Sequence, residues 1–171
     1  MPLPLLLTTA PTMKTSWPEF DSIASRLKGS RALTEMARVI ANALEVDVCS
    51  IYTMNRVANE LVLAATMGLS QSSVGRIRMT PDEGLVGLVA QELQPVLVED
   101  AAGHPRFRYF ESAGEDPFLS FFGVPLLHQG QLCGVLVVQT AERRDLHELW
   151  ASVATAAIRI AEAVSQATLP A

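Results

Sequence analysis

The sequence predicts an α+β domain: a central antiparallel sheet, with helices from the two chain ends packed on one face and a helix and loop enclosing a pocket on the other. Three observations predict it. β-Prone runs follow one another closely enough to pair antiparallel, most clearly the two runs between 121 and 139. Helical stripes sit near both ends of the chain. Between the strands lie one short helical stretch and a long segment with no period, so the ends can cover one face while the middle covers the other.

The elements follow in order. Residues 1–15 read as a loose leader and 16–168 as one domain. A first helix should start near Pro18, since proline is tolerated in a first turn, with Phe20, Ile23, Ala24 and Leu27 on its apolar face and Gly29 ending it. Ser30 is a natural N-cap for a second helix. Its residues Leu33, Ala37, Ile40 and Leu44 fall at spacings of 4, 3 and 4. From Val46 to Tyr52 the chain becomes β-prone and nearly continuous in apolar residues, a buried strand. Asn55–Glu60 is a polar turn, and Leu61–Thr66 the returning strand. Gly68 breaks it, Ser70–Val74 makes one helical turn, and Arg76–Met79 is a short strand. Pro81, Asp82, Glu83 and Gly84 turn the chain into a helix over Leu85–Glu92, and Val96–Val98 is another short strand. Residues 99–117 form a long crossing loop, the kind of segment that often carries function. Strands over Phe121–His128 and Leu132–Gln139 then make a hairpin around Gln129–Gln131. A long helix from Asp145 to Gln166 closes the chain. In it Leu146, Trp150, Val153, Ala157, Ile160 and Val164 repeat at spacings of 4, 3, 4, 3 and 4, a heptad seam.

Composition excludes several classes. Apolar residues make up 49% of the 171, too many for a disordered tail. With 13 basic against 18 acidic residues and no basic run, the net charge of -5 argues against gripping nucleic acid. No apolar run approaches the roughly 20 residues that span a bilayer. Pro2–Leu7 is short, contains two prolines and follows no positive residue, so it is not read as a signal peptide; Met13 offers an alternative start, and a cytoplasmic location is expected. Two cysteines 84 positions apart give neither a disulfide framework nor a zinc site, and no cofactor is expected. No GxSxG elbow and no placed carboxylate pair is present, so no catalytic constellation emerges.

Three strings then carry a resemblance: EGLVGLVAQELQPVLVED at Glu83–Asp100, HPRF at His104–Phe107 and FFGVPLLHQGQLCGVLVVQ at Phe121–Gln139. Together they resemble GAF domains, small-molecule sensor modules of the PAS-like class, over about residues 20–166. A narrower likeness, in EVDVCSIY at Glu45–Tyr52, HPRFRYF and GEDPFLSFFGVPLLH, is to the amino-terminal GAF domains of nitrogen-related phosphotransferase enzymes I. Where that pattern has a proline–glutamate pair, this chain has Glu111, Ser112 and Ala113. The phosphotransfer chemistry of those enzymes lies in downstream domains for which 171 residues leave no room. The absence of cysteine between residues 50 and 132 sets the chain apart from GAF-type methionine-sulfoxide reductases and bilin binders, and the cyclic-nucleotide signature is not recognisable.

The resemblance implies a non-catalytic sensor for a small polar metabolite such as glutamine or 2-oxoglutarate, relayed through the terminal helices to an output domain or phosphotransferase partner. Expected pocket residues are Thr66, Leu85, Asp100, His104, Arg106, Phe107, Tyr109, Phe121 and Val124. Arg106 matches a carboxylate, or else pairs with a surface acid while Asp100 and His104 cap turns. Gly84 and Gly87 either aim helix amides at an anion or serve a turn and close packing. His128 and His147 have no ligand-spaced partner and are expected to be exposed and inert, while Cys49 and Cys133 are expected to be buried. The heptad seam either covers the chain's own sheet or joins a second copy; a homodimer through the terminal helices is expected. The rival reading is an interaction module whose pocket is filled by Phe107, Tyr109, Phe110, Phe118, Phe121 and Phe122.

Overall fold

β-Branched and aromatic residues alternating between two apolar surfaces build one sheet with a core on each side. The computed structural model describes residues 16–107 and 118–168; the expected leader and residues 108–117 of the expected 99–117 loop lie outside them. Six strands run β1 (Val48–Asn55), β2 (Glu60–Met67), β3 (Arg78–Met79), β4 (Val96–Val98), β5 (Ser120–His128) and β6 (Gln131–Thr140). They are ordered β3-β2-β1-β6-β5-β4, and every neighbouring pair is antiparallel. Four helices complete the fold: α1 (Pro18–Arg26), α2 (Gly29–Leu44), α3 (Gly84–Glu92) and α4 (Trp150–Thr168).

Strand parity divides the side chains. Cys49 and Ile51, Phe122, Val124 and Leu126, and Leu136 and Val138 pack against α1, α2 and α4. Tyr52, Leu61 and Leu63, Phe121, Val135 and Val137 pack against Leu85, Val86, Val89 and Ala90 of α3. This is the expected α+β arrangement, terminal helices on one face and the middle helix on the other. A bulge in β2 adjusts the parity: Ile51 faces Ala65 while Tyr52 faces Leu63, leaving Ala64 extra.

Two details differ from the sequence reading. α2 begins at Gly29 with Lys28 in the N-cap place and no side-chain cap, so Ser30 is not the cap. Ser30 instead lies inside the first turn, where its carbonyl accepts from the Thr34 hydroxyl at 2.8 Å. The closing helix is not α-helical from its start. A 3-10 turn at Leu146–Leu149, capped by the Asp145 carboxylate accepting from the His147 amide at 3.0 Å, precedes α4.

The heptad seam is not a seam between two copies. Leu146, Val153, Ala157, Ile160 and Val164 are buried in the chain's own core, as are Leu149, Ala156 and Ala161 beside them. Trp150 alone of the six is exposed, resting on Phe122 at 5.2 Å and His147 at 5.9 Å between ring centroids. A helix that crosses a sheet needs the same narrow apolar stripe as a coiled coil, so the spacing did not distinguish them. α1 is anchored by Trp17, just before it. That indole is wholly buried, stacks on Phe20 at 5.4 Å and donates from Nε1 to the Ser152 carbonyl at 3.1 Å.

Candidate functional site

The turn Thr80–Gly84 leads into α3 and sets the edge of the sheet face opposite the terminal helices. Gly84 opens the helix at φ +67°, a conformation that favours glycine. Gly87 is one turn on, where a Cβ would stand 2.7 Å from the Thr80 carbonyl oxygen and 3.0 Å from that of Pro81. The two glycines therefore serve a turn and close packing. The Thr80 hydroxyl is hydrogen-bonded to the Asp82 carboxylate and lies 3.0 Å from a Glu83 oxygen. That hydroxyl, with the Asp82 backbone amide and the nearby Arg106 charge, holds the Asp82 carboxyl below the usual range. The Asp82 carboxylate thus stands beside the helix start as a charge that Arg106 helps to hold.

Arg106 reaches this edge from the loop. Its Nη1 donates to the Gln91 side-chain oxygen at 2.9 Å and its Nη2 to the Pro81 carbonyl at 3.1 Å. Gly87 leaves room for the Pro81 carbonyl, so the close packing of α3 also seats the guanidinium. His104 stiffens the same loop: its Nδ1 accepts from the Arg106 amide at 3.0 Å. Arg106 Nε is buried and has no hydrogen-bond partner among the described residues. A buried N–H of a charged group without an acceptor is costly, so it calls for an oxygen that none of the described residues supplies.

The other expected residues are distributed as follows. Leu85 and Phe121 are buried on the α3 face, and Phe107 is half-buried against it. Thr66 is buried, its hydroxyl 2.9 Å from that of Ser50 on the neighbouring strand, and its carbonyl accepts from Gln71. Asp100 is exposed and pairs with Arg143 at 3.4 Å; it stands before the 3-10 turn Ala101–Gly103 but makes no cap bond with its side chain. Val124 does not belong to the site: it points into the core under the terminal helices. Strand parity places it on the face opposite Phe121, three residues away. Tyr109, with Phe110, lies outside the described residues. Among the described residues Arg106 forms no ion pair with a surface acid, although its charge acts on Asp82. Its observed partners, Gln91 and the Pro81 carbonyl, were not anticipated, and a backbone oxygen leaves no mark in a sequence.

The fixed end of the loop is tied to the terminal helices. The Ser120 hydroxyl donates to the Glu99 carbonyl at 3.0 Å and accepts from the Arg144 amide at 2.8 Å. Arg144 Nη1 donates to the carbonyls of Leu44 and Glu45 at 3.2 and 3.0 Å, at the end of α2. Its Nη2 meets Glu148, ahead of α4, at 3.0 Å.

Both cysteines are buried, and burial pushes both thiols up. Burial likewise pushes the Tyr52 hydroxyl up. No group of three His, Cys, Asp or Glu among the described residues is placed to hold a metal. No described helix is long and apolar enough to cross a membrane. A cleft of about 880 Å³ opens elsewhere, at the tip of the β5–β6 hairpin, and none of the nine expected residues lines it.

A single antiparallel sheet covered by the terminal helices on one face and by a short helix and loop on the other is a PAS-like α+β fold. Residues 29–167 match the GAF domain family, and the chain belongs to it. The phosphoenolpyruvate-dependent phosphotransferase system protein of Escherichia coli strain K12 is 36% identical over 152 residues, covering 88% of this chain and 20% of that protein. The Nif-specific regulatory protein of Herbaspirillum seropedicae is 30% identical over 134 residues, covering 74% of this chain and 24% of its own length. The solved GAF domain of a phosphoenolpyruvate-protein phosphotransferase (ptsP) from Coxiella burnetii superposes with a TM-score of 0.80 at 33% identity, covering 86% of this chain and 88% of that one. The chain thus spans about a fifth to a quarter of the length of these curated relatives.

Proposed function

We propose that this chain is a non-catalytic sensory domain that binds a small polar metabolite through its carboxylate at Arg106 and passes the event through its terminal helices to an output domain or partner of a phosphotransferase-type signalling system. The observation that carries this reading is the buried Nε of Arg106 at the edge of α3, which has no hydrogen-bond partner among the described residues. An arriving carboxylate oxygen would satisfy it, and guanidinium geometry suits that pairing. The similarity to phosphotransferase and Nif-specific regulatory proteins supports a nitrogen-status signal, with glutamine and 2-oxoglutarate as the compounds to test. The bonds from Ser120 through Arg144 to the end of α2 and the start of the closing helix support the relay, because a shift of the loop would load both helices.

Dimerisation through the terminal helices stays in the proposal with a changed surface. The seam is buried, so a second copy would meet the outer side of α4, where Ile158 is 71% exposed. Sedimentation would show a monomer if that surface is idle.

One observation favours the interaction-module reading. Gly123 lacks a side chain where Val89 and the Phe121 ring close in, at 2.8 and 2.9 Å from the position of a Cβ, so the middle of the α3 face is filled. A thermal-shift titration with glutamine, 2-oxoglutarate and cyclic nucleotides separates the two. A ligand at about 100 times its Kd adds roughly 2.7 kcal/mol, which for a domain of this size raises Tm by several degrees. A saturable rise with glutamine or 2-oxoglutarate is expected, and no rise from a folded protein favours the interaction module. In calorimetry, Arg106→Ala should weaken the bound compound by about 1.5–3 kcal/mol, the worth of a charged hydrogen bond.

A further inference from the structure

The cleft at the hairpin end shares no lining residue with the Arg106 edge and includes Cys133 and Ser165, on the side of the sheet where α4 runs. Two arginines and a histidine line it: Arg56 from the β1–β2 turn, Arg78 from β3 and His128 from the end of β5. No aspartate or glutamate is among the lining residues, although the whole chain carries a net charge of -5. Thr53, Asn55, Gln129, Gln131 and Ser165 make the remaining wall mostly polar. We propose that this cleft is a second binding site, for a small polyanion bearing phosphate groups or several carboxylates.

The two arginines are prepared differently. Arg78 is held, donating from Nε to the Gly75 carbonyl at 3.2 Å and standing 3.5 Å from a Glu60 oxygen. Arg56 makes no hydrogen bond or ion pair with any described residue, so its whole fork of donors is open to a ligand. The turn that carries it is closed: Asn55 Oδ1 accepts from the amides of Val57 and Ala58, each at 3.1 Å. A guanidinium without a described partner on a closed turn, lining the same cleft of about 880 Å³ as a second guanidinium and an imidazole, suits an anion with several oxygens. Cys133 contributes a neutral wall, since its thiol donates to the Leu126 carbonyl at 3.3 Å and burial pushes it up.

The test is calorimetric titration of the whole chain at low ionic strength with inorganic pyrophosphate and, separately, with citrate. Saturable heat from at least one is expected, and the tighter of the two tells a phosphate ligand from a polycarboxylate. Arg56→Ala should weaken that binding about tenfold or more, and Arg56→Glu should abolish it. Both variants should keep the thermal midpoint of the parent, because the side chain they remove holds nothing. Arg106→Ala should leave pyrophosphate and citrate binding unchanged. No heat from either anion, unchanged affinity in both Arg56 variants, or loss of the binding in Arg106→Ala would overturn the proposal.

Discussion

Replacing Trp17 by alanine should cost about 3–5 kcal/mol of unfolding free energy, the range for removing a large buried aromatic. The indole is wholly buried, stacks on Phe20 and is the contact that ties the segment before α1 to Ser152 of α4 across 135 positions of sequence. Its removal opens a cavity at the junction of α1 and α4 and takes from the Ser152 carbonyl the donor it has outside its own helix. At about 2–4 °C per kcal/mol for a chain of this length, the midpoint should fall by roughly 6–20 °C. Trp17→Phe keeps most of the packing and loses the hydrogen bond, so its loss should be smaller, nearer 1–2 kcal/mol. Chemical denaturation of the two variants would check the order. A Trp17→Ala protein as stable as the parent would mean that α1 contributes no anchorage.

The second large effect is expected at Gly134, where alanine should destabilise by about 3 kcal/mol or more, the upper end of over-packing penalties. A Cβ there would stand 2.0 Å from the Tyr52 carbonyl oxygen, 3.1 Å from its carbon and 3.2 Å from Leu126 Cδ1. Gly134 is opposite Thr53 on one neighbouring strand and Leu126 on the other, so the clash falls between the two central strands. A backbone carbonyl inside a ladder cannot step aside as a flexible side chain would. The β1–β6 pairing would have to open, and with it the surface on which both cores rest. Hydrogen exchange should report loss of protection concentrated in β1 and β6. Normal protection with parental stability would contradict the close approach.

Most of the architecture was legible in the sequence, and particular residues show why. β4 falls on Val96–Val98 as the β-prone run between Pro95 and the loop suggests, and the β5–β6 hairpin follows from its two long apolar runs around Gln129 and Gly130. The glycines of the GVP and GVL strings are required by sterics at Gly123 and Gly134. What spacing could not give was the use of a stripe. The α4 heptads are present, but they face the chain's own sheet. Trp17 escaped notice because it precedes the helix, outside any periodic pattern. The candidate site was legible only in part. Arg106 is at the edge of α3, yet its partners depend on a backbone carbonyl and on Gln91, fifteen positions away. Phe121 and Val124 were grouped although parity sends residues three apart in a strand to opposite faces. Thr66 meets Ser50 through a register that the bulge at Ala64 sets, and no local composition announces that bulge.

Calorimetric titration of 2-oxoglutarate and of glutamine into the parent chain and Arg106→Lys, side by side, tests the central claim most directly. Lysine keeps the charge but has no Nε–H edge to offer a carboxylate. The account predicts saturable heat from one of the two compounds in the parent and binding weakened about tenfold or more in Arg106→Lys. Equal affinity in the two proteins, or no heat from either compound in a folded parent, would contradict it.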